Sequence, residues 1–291
     1  MLSAIVKSAR PHQWVKNVFV VAPAVFAQRL SDPRADLRTA AAFAIFCFLS
    51  SAVYYANDLV DREKDRQHPT KRRRPIASGA LSVGAARGIA VTFAAGALAG
   101  AFALSPMFGL VGLSYLALNA VYSLVLKRIA FVDVGCLSLF YLLRVFGGAV
   151  AIPVPPSAWL LACTLLLSAM LGFGKRAHEL RVAGQDSHKQ REVLGSYDPR
   201  VLRVLLIVLG VATTVTYLAY TRSPHAHAVF KTGRLVFTVP FVAFGVYRFI
   251  RIAQSRTDAD SPTDSMLRDV PFLATLVLYA IVAVGILYFA P

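Results

Sequence analysis

Eight apolar stretches, at residues 40–56, 83–104, 107–126, 129–152, 159–173, 201–220, 235–252 and 270–289, decide which solvent this chain folds in. A helix needs about 20 mostly apolar residues to cross roughly 30 Å of hydrocarbon, and a water-soluble domain does not carry eight such runs in succession. Only 16% of the 291 residues are charged, against about 25% in an ordinary soluble domain. A ninth stretch, residues 18–27, is short and broken by Pro23. It reaches span length only if the amphipathic residues 11–17 join the same helix, with Trp14 at the interface. The sequence thus predicts an all-α polytopic membrane protein, residues 1–291 forming a single membrane-embedded domain, with nine transmembrane helices on that joined reading. Cys47, Cys136 and Cys163 sit inside apolar runs without C-x-x-C spacing, so neither a disulfide frame nor a thiolate metal site is expected.

A net charge of +16 needs an explanation. Nucleic acid is one, basic cytoplasmic loops facing anionic lipid are another, and a site built to hold phosphates is a third. With nine spans and the N-terminus inside, the inside segments carry twenty-two Lys and Arg and the outside segments six, while Arg87, Arg144 and Arg203 fall within spans. The positive-inside rule therefore predicts a cytoplasmic N-terminus, a multi-pass protein of the cytoplasmic (inner) cell membrane, and no nucleic-acid partner. Both long polar loops, residues 57–82 and 175–200, then share the cytoplasmic side. Residues 1–17 carry Lys7, Arg10 and Lys16 without an apolar core, so no cleavable signal peptide is expected.

The second span closes on Asn57-Asp58-Leu59-Val60-Asp61-Arg62-Glu63-Lys64-Asp65. At about 100° per residue, Asp58, Asp61 and Asp65 fall within roughly 60° of one another, with Asn57 at their flank. Such hard oxygen ligands suit Mg²⁺, which keeps waters and is commonly shared with substrate phosphates. The competing reading is a solvated helix end, because Arg62, Lys64 and Arg66 are interleaved. Favouring a site, a basic run from Lys71 to Arg74 follows at once, between Pro69 and Pro75. Acids that hold a metal and bases that take phosphate oxygens together fit a metal–diphosphate complex. A charged helix end also follows the sixth span, where Lys175, His178 and Glu179 share a face with Arg176 beside them. Lys175 and Glu179 form an i,i+4 pair on the bland reading; on the functional one, Lys175 and Arg176 clamp phosphate opposite the acidic helix.

Polar groups inside the bilayer are costly and either face an interior cavity or bond neighbouring helices. Tyr115, Asn119 and Tyr122 share a face of the fourth span. Asp133 and Arg144 lie about three turns apart on the fifth, too far to pair, so Arg144 needs an interior partner that the sequence does not name. Asp133 is expected to cap its helix or to neutralise Lys127 and Arg128. Gly96 and Gly100 allow close helix contact, within one chain or between the copies of a homo-oligomer.

These motifs resemble the UbiA-type intramembrane prenyltransferase superfamily. The N-D-x-x-D-x-x-x-D motif from Asn57 to Asp65, the R-P-I-A-S-G tail from Arg74 to Gly79, and Tyr122-Ser123 with Lys127-Arg128 carry the likeness. It implies nine helices around a central cavity, with Mg²⁺ and a diphosphate at the cytoplasmic mouth. Typical members carry a second aspartate-rich motif where this chain has Lys175-Arg176-Ala177-His178-Glu179. That substitution, Gln13-Trp14-Val15-Lys16-Asn17 and His68-Pro69-Thr70-Lys71 are similar to one branch, the decaprenyl-phosphate phosphoribosyltransferases. The branch resemblance implies transfer of 5-phosphoribose from 5-phosphoribosyl 1-diphosphate to a polyprenyl (decaprenyl) phosphate, feeding arabinan precursors of the cell wall.

It further implies that Asn57, Asp58, Asp61 and Asp65 hold Mg²⁺, the three aspartates being catalytic, while Lys71, Arg74, Lys175 and Arg176 bind phosphates. Glu179 touches ribose hydroxyls or a second cation, Tyr122 and Lys127 line the cavity, and Lys16 takes the lipid phosphate. Two alternatives remain open at this point. One is an aromatic-acceptor polyprenyltransferase using an allylic diphosphate, against which the altered second motif argues. The other is a transporter, which is expected to place its coupling charges near the midplane rather than at one surface.

Overall fold

In the computed structural model every described element is helical, and the described residues are 1–68, 70–183, 192–255 and 262–289. Among them, eight helices are long and apolar enough to cross a membrane. We number these spans α1 (Pro33–Val60), α2 (Val83–Leu104), α3 (Pro106–Leu124), α4 (Val132–Ala151), α5 (Ala158–Ala183), α6 (Pro199–Thr221), α7 (Val239–Ala253, entered through a 3₁₀ turn at Arg234–Thr238) and α8 (Val270–Phe289). The protein is therefore a multi-pass membrane protein. Its chain divides into two compact units, and the division falls inside α4: residues 1–124 and 143–155 form the first, residues 125–142 and 156–291 the second.

The expected ninth span does not form as an α-helix. Arg10 adopts the left-handed conformation (φ 53°), Pro11 follows, and Pro11–Val20 winds as a 3₁₀ helix before a short α-helix at Ala22–Phe26. A 3₁₀ helix aligns every third side chain, and here the alignment is used in full. Trp14 donates its indole N–H to Ser51 Oγ (3.1 Å), Asn17 donates to Ser50 Oγ (3.4 Å) and faces Cys47 Sγ, and the Val20 side chain is buried. A regular α-helix of 3.6 residues per turn rotates Trp14, Asn17 and Val20 progressively off that line. Hydrogen bonding to α1 thus overrides hydropathy in this segment. Gly148 of α4 completes the fit, because a Cβ there would stand 1.9 Å from the Val20 carbonyl oxygen.

In the first unit α1 packs along α2, and α2 along α3. The first span starts earlier than hydropathy predicts. Asp32 caps it by accepting from the backbone N–H of Arg34 (3.0 Å) and Ala35 (3.4 Å), and Pro33 occupies the first helical position. Arg38, in that early turn, donates to the terminal carbonyls of α2 (Leu104, 2.9 Å) and α4 (Ala151), so it closes two helix C-termini at once. In the second unit α5 packs on α6, α6 on α7 and α7 on α8. Met170, Leu202, Leu206 and Phe249 form the core between them.

Candidate active site

The acidic helix end belongs wholly to the first unit. Helix α1 stops at Val60, Asp61 takes a non-helical ψ near 3°, and a short helix, Arg62–Gln67, carries on. The Asp61 N–H still donates to the Asn57 carbonyl (2.9 Å), and the Asp65 N–H to the Asp61 carbonyl (2.8 Å). The break therefore costs little of the shared face. Asp58 and Asp65 are buried, whereas Asp61 is partly open.

Basic side chains close on these acids from two directions. Arg74 Nη1 donates to Asp65 Oδ2 (2.7 Å) and to Asp58 Oδ1 (3.1 Å), and Arg10 Nη2 reaches the same Asp58 oxygen at 2.5 Å. The sequence counted Arg10 only as part of the cytoplasmic positive charge. Its arrival depends on a stapled N-terminus: Tyr55 donates to the Ile5 carbonyl (2.7 Å), Ser51 donates to the Ala9 carbonyl (3.0 Å), and Arg10 follows directly. Burial holds the Asp65 carboxyl above the usual carboxylate range, against the pull of Arg74 and Lys71. Asn57 Oδ1 accepts from Ser123 Oγ (2.7 Å), which fixes the amide at the end of α1. Gly79 closes the R-P-I-A-S-G tail in the left-handed region (φ 83°), where a side chain is strained.

Of the remaining predicted residues in this unit, Lys16 is half-buried on the 3₁₀ segment, Lys71 is half-buried on a single 3₁₀ turn (Lys71–Arg73), and Tyr122 is half-buried in the last turn of α3. Pro69 lies outside the described residues. The partner that Arg144 required is Asn17, 127 positions away: Arg144 Nε donates to Asn17 Oδ1 at 2.8 Å, and Nη2 to the Tyr115 hydroxyl at 2.9 Å. Asn119, read from sequence as sharing the Tyr115 face, donates to the Tyr115 carbonyl (2.7 Å). Among the described residues no three of His, Cys, Asp and Glu converge as a ready-made metal cage. The donor set of three carboxylates and an amide oxygen nonetheless fits a hard divalent cation.

The second charged helix end is built differently from the first. Arg176 is fully buried, with Nε 3.2 Å from Asp133 Oδ2 and Nη1 bonded to the Glu179 carboxylate. Asp133 also accepts from the Tyr197 hydroxyl (2.6 Å), and that hydroxyl accepts from the Phe131 backbone N–H (2.7 Å). Burial and the Asp133 bond push the Tyr197 phenol well above its ordinary pKa. Asp133 accepts from the Val134 backbone N–H in the first turn of α4 (2.9 Å), in keeping with the expected cap, and Arg176 and Tyr197 rather than Lys127 and Arg128 are the side chains it pairs with. Lys175 stays half-buried on the same helix, as does Lys127 in the one-turn 3₁₀ helix Leu126–Arg128. Lys189 and Arg191 of the following loop lie outside the described residues.

The sequence model of the UbiA prenyltransferase family matches residues 17–268. The chain belongs to that family. Its UbiA relatives include the decaprenyl-phosphate phosphoribosyltransferase of Mycobacterium tuberculosis, 35% identical over 252 residues, which covers 84% of this chain and 83% of that one. The enzyme of the same name from Corynebacterium glutamicum is 36% identical over 225 residues, covering 75% of this chain and 67% of its own. A UbiA homolog from Archaeoglobus fulgidus, solved with DMAPP and Mg²⁺, superposes with a TM-score of 0.70 over 98% of this chain and 99% of that one, at 18% identity. That likeness establishes the UbiA fold.

Proposed function

We propose that this protein transfers 5-phosphoribose from 5-phosphoribosyl 1-diphosphate to a polyprenyl phosphate, decaprenyl phosphate by likeness, with release of diphosphate for cell-wall arabinan precursors. The observation that carries the reading is identity of about a third, over most of both chains, with relatives named for this acceptor and this transfer. The basic second motif supports it over transfer from an allylic diphosphate to an aromatic ring. A diphosphate, a 5-phosphate and an acceptor phosphate gathered in one site need cations where one diphosphate is served by two acidic motifs.

The bond that breaks joins the ribose C1 to the diphosphate oxygen, and the electron pair leaves with diphosphate. The bond that forms joins C1 to an oxygen of the lipid phosphate. That oxygen is already anionic, so the chain needs no general base. Asn57, Asp58, Asp61 and Asp65 would hold Mg²⁺, which supplies charge neutralisation on the departing group. Arg74, Lys71, Lys175 and Arg176 are the proposed phosphate-binding cations, with the Arg176 guanidinium positioned by Asp133 and Glu179. Glu179 is assigned to ribose hydroxyls or a second cation, Lys16 to the lipid phosphate, and Tyr122 and Lys127 to the substrate cavity. The N-terminus and this site are assigned to the cytoplasmic face by the distribution of Lys and Arg.

Purified protein in liposomes, given radiolabelled 5-phosphoribosyl 1-diphosphate and decaprenyl phosphate, is expected to form labelled lipid. Given geranylgeranyl diphosphate and a phenolic acid, it is expected to form none. The reverse pattern overturns the reading.

A further inference from the structure

The end of α5 and the start of α6 carry a second basic site, formed wholly by residues of the second unit. A cavity of about 330 Å³ opens between the end of α5 and the start of α6. Three arginines, Arg181, Arg200 and Arg203, stand at its wall, and Ala177, Leu202 and Leu206, all buried, form its apolar floor. The sequence recorded Arg203 only as a charge inside a span, and the proposed transfer uses none of the three.

Each arginine is exposed, and their setting differs from that of a solvated loop. Arg203 lies one turn inside α6, beside Val204, Ile207 and Val208, which are 59%, 50% and 55% exposed on a surface that hydrocarbon covers. A guanidinium at that depth gains from an anion at the headgroup level. Arg181 Nη1 donates to the Gln254 carbonyl, which holds its guanidinium against the end of α7. Asp198, just before α6, is engaged in capping that helix, accepting from the backbone N–H of Arg200 (2.6 Å) and Val201 (3.2 Å). Three guanidiniums in one lining match the two negative charges of a phosphate monoester better than the single charge of a phosphodiester. An apolar floor running along α6 from Leu202 to Leu206 matches a hydrocarbon chain attached to that phosphate.

We propose that this cavity is a docking site for a single-chain lipid phosphomonoester, with its phosphate on Arg181, Arg200 and Arg203 and its first isoprenoid units on Leu202 and Leu206. It deepens the function proposed above, since it would receive the acceptor class from the leaflet, and it rests on that reading only for its purpose.

The test uses the full chain in nanodiscs of neutral phosphatidylcholine, with retention of added polyprenyl phosphate read by native mass spectrometry. The expected result is retention by the wild type, at least about tenfold weaker retention by R200Q/R203Q, and partial recovery in R200K/R203K, which keeps the charge but loses the planar fork. Transfer of phosphoribose to a short, water-soluble isoprenyl phosphate is expected to be unchanged in R200Q/R203Q. Equal retention by wild type and R200Q/R203Q overturns the proposal, and so does displacement of the lipid by equimolar phosphatidylglycerol, which would mark a general anionic-lipid surface. If the wild type transfers no phosphoribose yet arginine-dependent retention persists, the docking site stands and the functional reading falls.

Discussion

Arg74 Nη1 sits 2.7 Å from Asp65 Oδ2, and the same nitrogen reaches Asp58 Oδ1 at 3.1 Å. One basic residue, nine and sixteen positions along the chain, thereby ties together two buried carboxylates seven residues apart. The guanidinium is only 28% exposed, so this is no freely screened surface pair. Replacing Arg74 with Ala leaves Asp65 without its hydrogen-bonded cation, with only the weaker pull of Lys71, and Asp58 with Arg10. An unsatisfied buried polar group costs about 1–3 kcal/mol. Thermal unfolding in detergent is expected to record a loss of that size for R74A. Adding D65N to R74A should restore part of it, because the neutral amide needs no cation. Additive losses in that cycle would remove Arg74 from the role of clamp.

The aspartates are assigned the metal, and their loss has a different signature. D61A removes a partly open carboxylate, so the fold is expected to survive while transfer falls by roughly 10²–10³, the usual cost of removing one group that stabilises developing charge. EDTA should abolish wild-type transfer and Mg²⁺ restore it. The conservative D61N is expected to need more Mg²⁺ for half-maximal rate. A folded D61A that turns over at the wild-type rate would overturn the metal assignment.

Asn17 and Arg144 make a separate test inside the bilayer. Hydrogen bonds between membrane helices average about 0.6 kcal/mol and rarely exceed 1.7. The Asn17–Arg144 bond is buried at both ends, and Arg144 also holds the Tyr115 hydroxyl. A double-mutant cycle between N17A and R144M is expected to give a coupling of about 1 kcal/mol. N17A should also loosen the 3₁₀ segment that carries Lys16, seen as faster hydrogen exchange across residues 11–20.

Much of this architecture could be read from residue order, and its failures have a common cause. Eight spans were visible because bilayer thickness imposes a run length that any hydropathy reading detects. The acid face was visible because a helix repeats every 3.6 residues. What stayed hidden depends on partners distant in sequence or on caps. Asp32 begins α1 seven residues before its apolar run, since capping chemistry carries no hydropathy. Arg10 meets Asp58 across 48 positions and Arg144 meets Asn17 across 127, and no local period encodes either. The Pro11–Val20 segment departs from the hydropathy pattern because its three-residue alignment serves hydrogen bonds to α1, not burial of a greasy stripe.

Acid will weaken the end of α7 in a definable way. Arg248 donates to both oxygens of Asp269, at 2.9 and 2.7 Å. That bond, with the Phe272 N–H, holds the Asp269 carboxyl below the usual carboxylate range. A carboxyl whose folded pKa is depressed stabilises the fold above its unfolded value, near 4, and loses that contribution as pH falls through the folded value. Unfolding followed from pH 6 downward should show D269N losing less stability than wild type below pH ~4. Identical pH profiles would show that the pair contributes nothing.

Lys175 and Arg176 are neighbours in sequence with opposite prospects. Arg176 is fully buried against Asp133, and Glu179 takes its Nη1. Removing one partner from a buried ion pair costs about 3–5 kcal/mol, because the other charge is left uncompensated. R176A is therefore expected to lose most of its folded population, and D133N, which also weakens the Tyr197 bond, should behave alike. Lys175 is half-buried, so K175A is expected to fold with nearly wild-type stability and to raise KM for 5-phosphoribosyl 1-diphosphate about tenfold, the effect of one lost phosphate contact. The double variant R176M/D133L, which exchanges the ion pair for apolar volume, should recover stability. If it also recovers transfer, Arg176 serves the fold and Lys175 alone meets phosphate; if it folds without activity, the guanidinium itself is needed at the substrate.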